Sequence, residues 1–364
     1  MAGQFARLGN DLYTGKRSYD IVGKRRVWFI AAAVLVIVSG LLLAVRGLNV
    51  GIEFRGGSEF TVSGAATTSS DPANEVLGEI GTDQVARVSV VGGDSVRIQT
   101  DQLTQEQTDQ VAASLAEVYE VERNAVTSSF IGPTWGADIT AKALQGLVIF
   151  IVLVALVMAL YFRTWSMAAA ALIALIHDLI VTVGLYAGIG FEVTPASVIG
   201  LLTILGYSLY DTVVVFDKVR ENTANVLEQT RVTYEEASNL AVNQTIVRSI
   251  NTSVVGVLPV ASILFVGAFL LGAGTLRDIA LSLFIGMIVS TASSIFLATP
   301  LEAALRMRRS VYREHSAKVL ALRAEVGETE TVVTSADVRP ETDRVAATVP
   351  GVHLGTQSQP RRKR

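Results

Sequence analysis

The chain has no cysteine among its 364 residues and only three histidines. The absence of cysteine excludes structural disulfides, zinc sites with cysteine ligands and thiol catalysis. The histidines do not indicate a metal site, because His315 and His353 lie in the C-terminal region and only His177 falls in an apolar run. We therefore expect no bound metal and no cofactor.

Motifs for nucleotide and hydrolytic chemistry are also missing. The sequence contains no G-x-x-x-x-G-K-[ST] phosphate loop, no H-E-x-x-H zinc motif and no G-x-S-x-G nucleophile turn. We expect that the protein is not an enzyme and that nucleotide hydrolysis does not power it. No nucleic-acid partner is expected either.

Long apolar runs dominate what is present. Half of the residues are hydrophobic and the mean hydropathy is +0.46, which is typical of a polytopic membrane protein. A helix needs about 20 apolar residues to cross the hydrocarbon core. Six runs meet this length, at approximately 28–45, 143–162, 166–187, 196–216, 252–271 and 279–299.

Basic residues near the ends of these runs predict the orientation. The segment 1–27 carries six Lys and Arg residues, the loop at about 217–244 carries more, and the chain ends in Arg361-Arg362-Lys363-Arg364. Because Lys and Arg favour the cytoplasmic side, both termini are expected there. The segment 302–364 loses its apolar periodicity, so we predict a disordered cytoplasmic tail.

The region 46–141, between the first two runs, is long enough to form a domain on the opposite side of the membrane. Between 47 and 141 it has fourteen acidic residues and four arginines. Gly92 and Gly93 favour a tight hairpin turn. The pattern predicts strands at 59–63, 86–91, 95–100 and 120–130 and helices at 71–80 and 104–119. This β-α-β-β-α-β order predicts a ferredoxin-like α+β domain.

Ionisable residues inside the apolar runs are the main functional candidates. A charge at the bilayer centre costs about 3 kcal/mol or more, so Asp211 requires a partner, a water-filled cavity or a proton. Tyr207 lies one turn before it, and the height of Arg248 on the next run permits an ion pair. In the third run His177 and Asp178 are followed by Thr182, on the same helical face as Asp178.

Two readings of these polar residues remain open. Buried polar pairs can simply hold helices together, and Arg248 can extend to the interface. The combination of two acids, a histidine and an arginine favours a path for protons or ions. A carboxylate without a cluster of carbonyl ligands favours protons over sodium, although the sequence does not decide between them.

Several segments together resemble the SecD/SecF family of bacterial protein-export subunits, which belongs to the resistance-nodulation-division superfamily. The motif after the first run is similar to the family's double-glycine box, at Gly51, Glu53, Gly56 and Gly57. Asp usually occupies the position of Glu53, and Asn that of Tyr210, so Tyr210 is expected to alter the hydrogen bonding of Asp211. The other resembling segments are Ile131-Gly132-Pro133, His177 to Gly184, Gly206 to Asn222, Asn243 to Ser253 and Ser293 to Phe296.

The resemblance implies a multi-pass protein of the bacterial cytoplasmic membrane that helps late steps of protein export by using the proton-motive force. It implies a SecD-like partner, a SecYEG-type channel, YajC-like and YidC-like subunits, the translocating polypeptide and membrane lipids. It makes Asp211, Arg248, Asp178, His177, Thr182 and Tyr207 candidates for proton transfer. The alternative is a stand-alone proton-coupled exporter of small hydrophobic compounds or lipids in the same superfamily.

Overall fold

The computed structural model describes residues 2–79, 87–91, 94–270, 274–326 and 333–338. In these residues the helices are α1 (Ala2–Thr14), α2 (Arg25–Arg46), α3 (Ile52–Arg55), α4 (Asp71–Glu79), α5 (Gln105–Val118), α6 (Pro133–Phe162), α7 (Trp165–Ile189), α8 (Pro195–Thr223), α9 (Tyr234–Ser262), α10 (Gly274–Ser293), α11 (Thr299–Arg306) and α12 (Ser310–Val326). The strands are β1 (Asn49–Val50), β2 (Gly57–Val62), β3 (Arg87–Val91), β4 (Ser95–Thr100), β5 (Val126–Ile131) and β6 (Glu192–Val193).

Six helical segments of the described chain are long and apolar enough to cross a membrane, as predicted. They are α2, α6, α7, α8, α9 with its π-helical continuation Ile263–Leu270, and α10, which continues through the π-helical turn Ser294–Ala298 into α11. The protein is therefore a multi-pass membrane protein.

Helix α9 begins at Tyr234, well before the expected start of the apolar run at 252, so the segment 217–244 includes the end of α8 and the first part of α9. The start is set by a capping box, in which Thr233 accepts from the backbone of Glu236 and the Glu236 side chain accepts from the backbone of Thr233. This arrangement satisfies N–H groups that a helix start leaves without partners. The helix therefore extends beyond the apolar run that hydropathy detects.

The spans pack closely where small residues meet. A Cβ on Gly184 of α7 would overlap Ser39 of α2, and one on Gly286 of α10 would lie 2.6 Å from Ile204 of α8. Small residues at such contacts allow helices to approach closely in membranes. Helix α7 buries more than half of its most apolar stretch inside the bundle, whereas α2 and α6 bury few of their residues.

The domain between the first two spans, which is named the outer domain after its expected position, has the predicted β-α-β-β-α-β order. Its four strands form an antiparallel sheet in the order β3-β4-β2-β5, and one face packs on α4 and α5 through a core that includes Phe60, Ile98 and Leu115. The last strand begins at Val126 because Glu120 has a positive φ and a 3₁₀ turn covers Arg123–Ala125. The glycines of the predicted hairpin lie outside the described residues.

The prediction of disorder from residue 302 onward is wrong as far as Val326, because α11 and α12 fill this stretch. Val319 of α12 is fully buried, and Arg323 forms an ion pair with Glu236 at 2.6 Å. Residues 333–338 also meet the end of α1, where Ser335 N–H donates to Thr14 O. The rest of the tail, with its basic end, lies outside the described residues.

Candidate functional site

One face of α8 is polar in an otherwise apolar part of the helix. Ser208, Asp211 and Thr212 are each no more than 3% exposed. Their spacing of three and four residues places them on the same side of the helix. Helices α7, α9 and α10 all pack against α8, so this face forms a polar seam inside the bundle.

Asp211 is bound by Ser249 on α9. The Ser249 hydroxyl donates to Asp211 Oδ1 at 2.8 Å. The second oxygen, Oδ2, is buried and has no hydrogen-bond partner among the described residues. A buried carboxyl oxygen without a donor is costly, so Oδ2 is the atom of this carboxyl that an added donor or proton would stabilise.

The expected ion pair between Asp211 and Arg248 does not form in this structure. Successive residues of a helix project about 100° apart; Ser249 faces Asp211, and Arg248 is directed outward and exposed. No ion pair of Arg248 occurs within 4.0 Å in the described part of the chain. Arg248 acts on Asp211 only as a longer-range charge.

Asp178, the second intramembrane acid, uses both of its carboxyl oxygens. Oδ1 lies 3.2 Å from His177 Nδ1, and Oδ2 accepts a hydrogen bond from Ser208 at 2.7 Å. Thr182 instead donates to the backbone carbonyl of Asp178 at 2.7 Å. His177, Asp178 and Thr182 therefore lie in one region of α7 as expected, but Ser208 provides the contact to α8.

Hydroxyl groups extend the seam to α9 and α10. The hydroxyl of Tyr207 donates to Ser253 of α9 at 3.5 Å. Its partner is therefore on α9 and is not Asp211. Ser253 in turn lies 2.7 Å from Thr291. One turn further along α8, Thr212 lies 3.0 Å from Ser294. The seam thus joins four membrane helices through side-chain hydrogen bonds.

Sequence reasoning missed the small hydroxyl residues Ser208, Thr212 and Ser294 as parts of the site. The available signal was spacing, since Asp211 and Thr212 follow Ser208 by three and four residues and therefore lie on the same side of α8 as Ser208. Single serines and threonines are common in membrane helices, so their role depends on which helix they meet. Tertiary packing supplies that information.

The Tyr210 side chain makes no hydrogen bond to Asp211, whose carboxyl is bound by Ser249. Tyr210 is 56% exposed, whereas Asp211 and Thr212 are buried. Tyr210 therefore lies on the outer surface of α8.

A gap lined by Asp178, Ser208 and Ser290 separates α7, α8 and α10, and it is too narrow for a water molecule. Ser290 Oγ and His177 Nε2 are buried nearby without partners among the described residues. A continuous path for protons along the seam therefore requires the helices to move apart.

The motif after the first span forms the joint between the membrane helices and the outer domain. Gly56 and Gly57 both have positive φ angles, of 79° and 140°. A Cβ on Gly57 would lie 2.5 Å from Thr100 O, and one on Gly56 would lie 2.9 Å from Pro133 Cα at the start of α6. The double glycine therefore brings both connections of the domain together.

Charged residues complete this joint. The loop before α8 carries Glu192, which accepts from Gln99 at 2.5 Å and lies 3.7 Å from Arg97 on the domain sheet. Arg97 also lies 3.6 Å from Glu59. The adjacent strands β1 and β6 pair in parallel, and Gly51 N–H donates to Val193 O. The start of α8 is thereby attached directly to the outer domain.

Glu53 is partly buried at the same joint. Its Oε2 has no hydrogen-bond partner among the described residues. Burial raises the pKa of the Glu53 carboxyl, and the charges of Glu192 and Glu59 raise it further, although a backbone hydrogen bond and Arg97 oppose them.

Known protein families match both the double-glycine joint and the polar seam of this chain. The profile of the protein export membrane protein SecD/SecF C-terminal family matches residues 110–308, and that of the SecD/SecF GG motif matches residues 41–64. The chain belongs to the SecD/SecF family. The GG motif profile covers the Gly56-Gly57 joint, and the SecD/SecF C-terminal profile covers the polar seam.

Curated SecD/SecF relatives are similar over most of their length. The protein translocase subunit SecF of Streptomyces coelicolor is 47% identical over 87% of this chain and 85% of its own. That of Mycobacterium tuberculosis H37Rv is 44% identical over 86% of this chain and 72% of its own. The crystal structure of SecDF, a translocon-associated membrane protein from Thermus thermophilus, matches with a TM-score of 0.71 and 27% identity, over 80% of this chain and 39% of that longer one.

Proposed function

We propose that this chain is a SecF-type accessory subunit of a bacterial Sec translocase, and that it uses the proton-motive force to drive late steps of protein export. The observation that carries the proposal is Asp211, a buried intramembrane carboxyl with one oxygen bound by Ser249 and the other without a partner. Family membership and the names of the relatives support the translocase role.

Protonation of Asp211 changes the packing that the bundle prefers. The neutral carboxyl gains an O–H donor and loses its charge, so its contacts with Ser249 and its attraction to Arg248 both change. A switch of this kind works when two helix arrangements differ little in free energy and one proton shifts their populations. Water enters the seam in only one of the two arrangements.

The movement reaches the outer domain through α8. Asp211 lies sixteen residues after Pro195, or about 24 Å along the helix axis. Directly before Pro195, the loop with Glu192 contacts Arg97 and Gln99 of the domain sheet. A tilt of α8 against α7 therefore pulls on the sheet, and the domain acts on the emerging polypeptide.

The proposal includes a SecD-type protein as the immediate partner. The exposed apolar surfaces of α2 and α6 provide area for a second membrane subunit as well as for lipid. A SecYEG-type channel, YajC-like and YidC-like subunits and the translocating chain belong to the same proposal. Both termini then lie in the cytoplasm and the acidic domain faces outward, in agreement with the distribution of Lys and Arg.

Export measured in cells with Asp211→Asn tests the proton-driven role. Asparagine keeps an acceptor for Ser249 and cannot ionise, so we expect normal insertion and folding but loss of the export that depends on the proton-motive force. Asp217→Asn is the matched control, because Asp217 is on the same helix and contacts Tyr161 at the bundle surface. Equal export by Asp211→Asn and parent cells at equal protein level contradicts the proposal.

A stand-alone exporter of small hydrophobic compounds or lipids is the second candidate. It is favoured by an apolar groove of about 350 Å³ between α6, α7 and α8, lined by residues such as Leu144, Val183 and Leu202. Purification without crosslinking distinguishes between the translocase subunit and the stand-alone exporter. A stable complex with a SecD-type protein supports the translocase subunit, and a homo-oligomer that moves a dye or lipid across vesicles supports the exporter.

A further inference from the structure

A cavity of about 680 Å³ lies where the outer domain meets the membrane helices. Its walls come from the ends of α2 and α7, the start of α10 and the domain strands β3 and β4. This volume is in the range of sites for small ligands. The charged side chains that line it are Arg46, Arg87, Arg97, Arg277, Glu192 and Asp278.

The two acids of the cavity already have other contacts. Glu192 lies close to Arg97 and accepts from Gln99, and Asp278 accepts from Thr194 at 3.0 Å. Arg97 is likewise shared between Glu192 and Glu59. Of the four arginines in the lining, only Arg97 lies within ion-pair distance of an acid in the described residues.

Arg46, Arg87 and Arg277 form no ion pair within 4.0 Å in the described chain. Arg46 donates to the backbone carbonyl of Gly188. Arg87 donates to the side chain of Asn49 and to the carbonyl of Val50. These acceptors are neutral, and the cavity lining as a whole carries four arginines against two acids.

The charged form of Arg87 is disfavoured in its present environment. Burial lowers the pKa of its guanidinium, and the nearby charge of Arg55 lowers it further, while Glu192 acts in the opposite direction. An anion in the cavity would stabilise the charged form of Arg87. Guanidinium groups suit phosphate in particular, because their planar N–H groups can donate two parallel hydrogen bonds to its oxygens.

The cavity lies at the ends of the spans α2 and α10, where we expect the lipid headgroups. Arg46 follows Val45, which is 82% exposed on α2, and Arg277 follows Leu276, which is 51% exposed on α10. Exposed apolar residues of membrane helices face hydrocarbon, and arginines at helix ends reach the interface. A phosphate that enters at this level is attached to a lipid whose acyl chains lie along the spans.

We propose that this cavity binds the headgroup of an anionic phospholipid from the leaflet on the domain side of the membrane. Arg46 and Arg277 hold the phosphate from the membrane helices, and Arg87 holds it from the domain sheet. The lipid thereby bridges the outer domain and the bundle. The alternative is that Arg46 and Arg277 only extend toward the interface without holding a lipid. In that case Arg87, on the domain sheet, has no part in lipid binding.

Native mass spectrometry of the full-length protein in detergent tests this difference, with phosphatidylglycerol, phosphatidylcholine and inorganic phosphate as probes. We expect one phosphatidylglycerol per chain to bind at least about tenfold more tightly than phosphatidylcholine. We expect Arg87→Gln to weaken it by about tenfold, since a charge-assisted hydrogen bond is lost. Arg87→Lys should restore part of the affinity because it keeps the charge.

The control is the triple variant Arg308→Gln, Arg309→Gln and Arg313→Gln, which removes exposed charges near α12 and should leave this binding unchanged. An unaltered thermal unfolding midpoint shows that Arg87→Gln is folded. Equal phosphatidylglycerol affinity in parent and folded Arg87→Gln protein overturns the proposal. Arginine-dependent binding of inorganic phosphate without retention of phosphatidylglycerol overturns it as well.

Discussion

Ser249 contacts Asp211 through a 2.8 Å hydrogen bond, and its neighbour Arg248 is exposed on another face of α9. The intramembrane acid is therefore held by a neutral hydroxyl in this arrangement of the helices. A hydroxyl can serve either protonation state of the carboxyl, because it donates to an ionised oxygen and accepts from a protonated one. Proton exchange at Asp211 consequently does not require a buried ion pair to break.

Ser249→Ala should destabilise the bundle more than Arg248→Gln does. The alanine leaves Asp211 without its described donor and should cost about 1 kcal/mol, whereas the exposed arginine has no close partner to lose. Thermal unfolding of both variants in the same detergent measures the difference. A larger loss for Arg248→Gln would show that the ion pair holds this state together.

Gly184→Ala should weaken the contact between α2 and α7. The added Cβ would overlap Ser39, whose Cα is also only 2.6 Å away, and overpacking of this kind costs about 1–3 kcal/mol. Gly146→Ala on α6 is the control, because its Cβ would meet nothing within 4 Å. Thermal unfolding midpoints should fall for Gly184→Ala only, and equal midpoints would argue against this close contact.

Gly57→Ala should disturb the joint more than Gly64→Ala. Both glycines have positive φ, so alanine is strained by about 1–2 kcal/mol at either position. Only Gly57 has a backbone atom in the way, Thr100 O at 2.5 Å, whereas a Cβ on Gly64 meets nothing within 4 Å. Export and unfolding midpoints are measured for both variants, since Gly64→Ala introduces backbone strain alone and Gly57→Ala adds the overlap with Thr100. Equal export and equal midpoints in the two variants would rule out the overlap.

Glu53→Gln should change how stability depends on pH. The folded-state pKa of Glu53 is raised above its usual 4.5, mainly by burial, so the folded protein binds this proton more tightly than the unfolded chain does. The resulting stability is present below about pH 4.5 and is lost as pH rises through the folded pKa. The parent should therefore gain stability relative to Glu53→Gln as pH falls from 7.

Unfolding midpoints between pH 7 and 4.5 measure this effect as a difference between parent and variant, which cancels the other titrating groups. Glu117→Gln, at an exposed position of α5, should give a profile parallel to that of the parent. A parallel profile for Glu53→Gln as well would mean that Glu53 titrates equally in the folded and unfolded chains.

Much of the architecture was predictable from local pattern. Six apolar runs predicted the six spans, and alternation with turn residues predicted the order of the outer domain. The start of α9 was not predictable from hydropathy, since capping by Thr233 and Glu236 extends the helix into polar sequence. The tail helix α12 was missed for a related reason, because its stability depends on contacts with Glu236 and other distant residues.

The sequence by itself determined which residues are costly in a membrane. Asp178 and Asp211 stand in apolar runs, and the free energy of placing a carboxyl there depends on chemistry that composition already contains. It also determined the glycines of the joint, because few other residues adopt their backbone conformation.

Only the tertiary structure decided which side chains contact one another. Arg248 and Ser249 project in different directions from α9, and so do Tyr210 and Asp211 from α8. The packing of neighbouring helices decides which residue of each pair faces the seam. The same holds for Arg46, Arg87 and Arg277, which come from three distant segments and line one cavity. The direction of a side chain depends on how the helices pack against one another. This packing results from many weak contacts between distant segments, which cannot be derived from residue spacing.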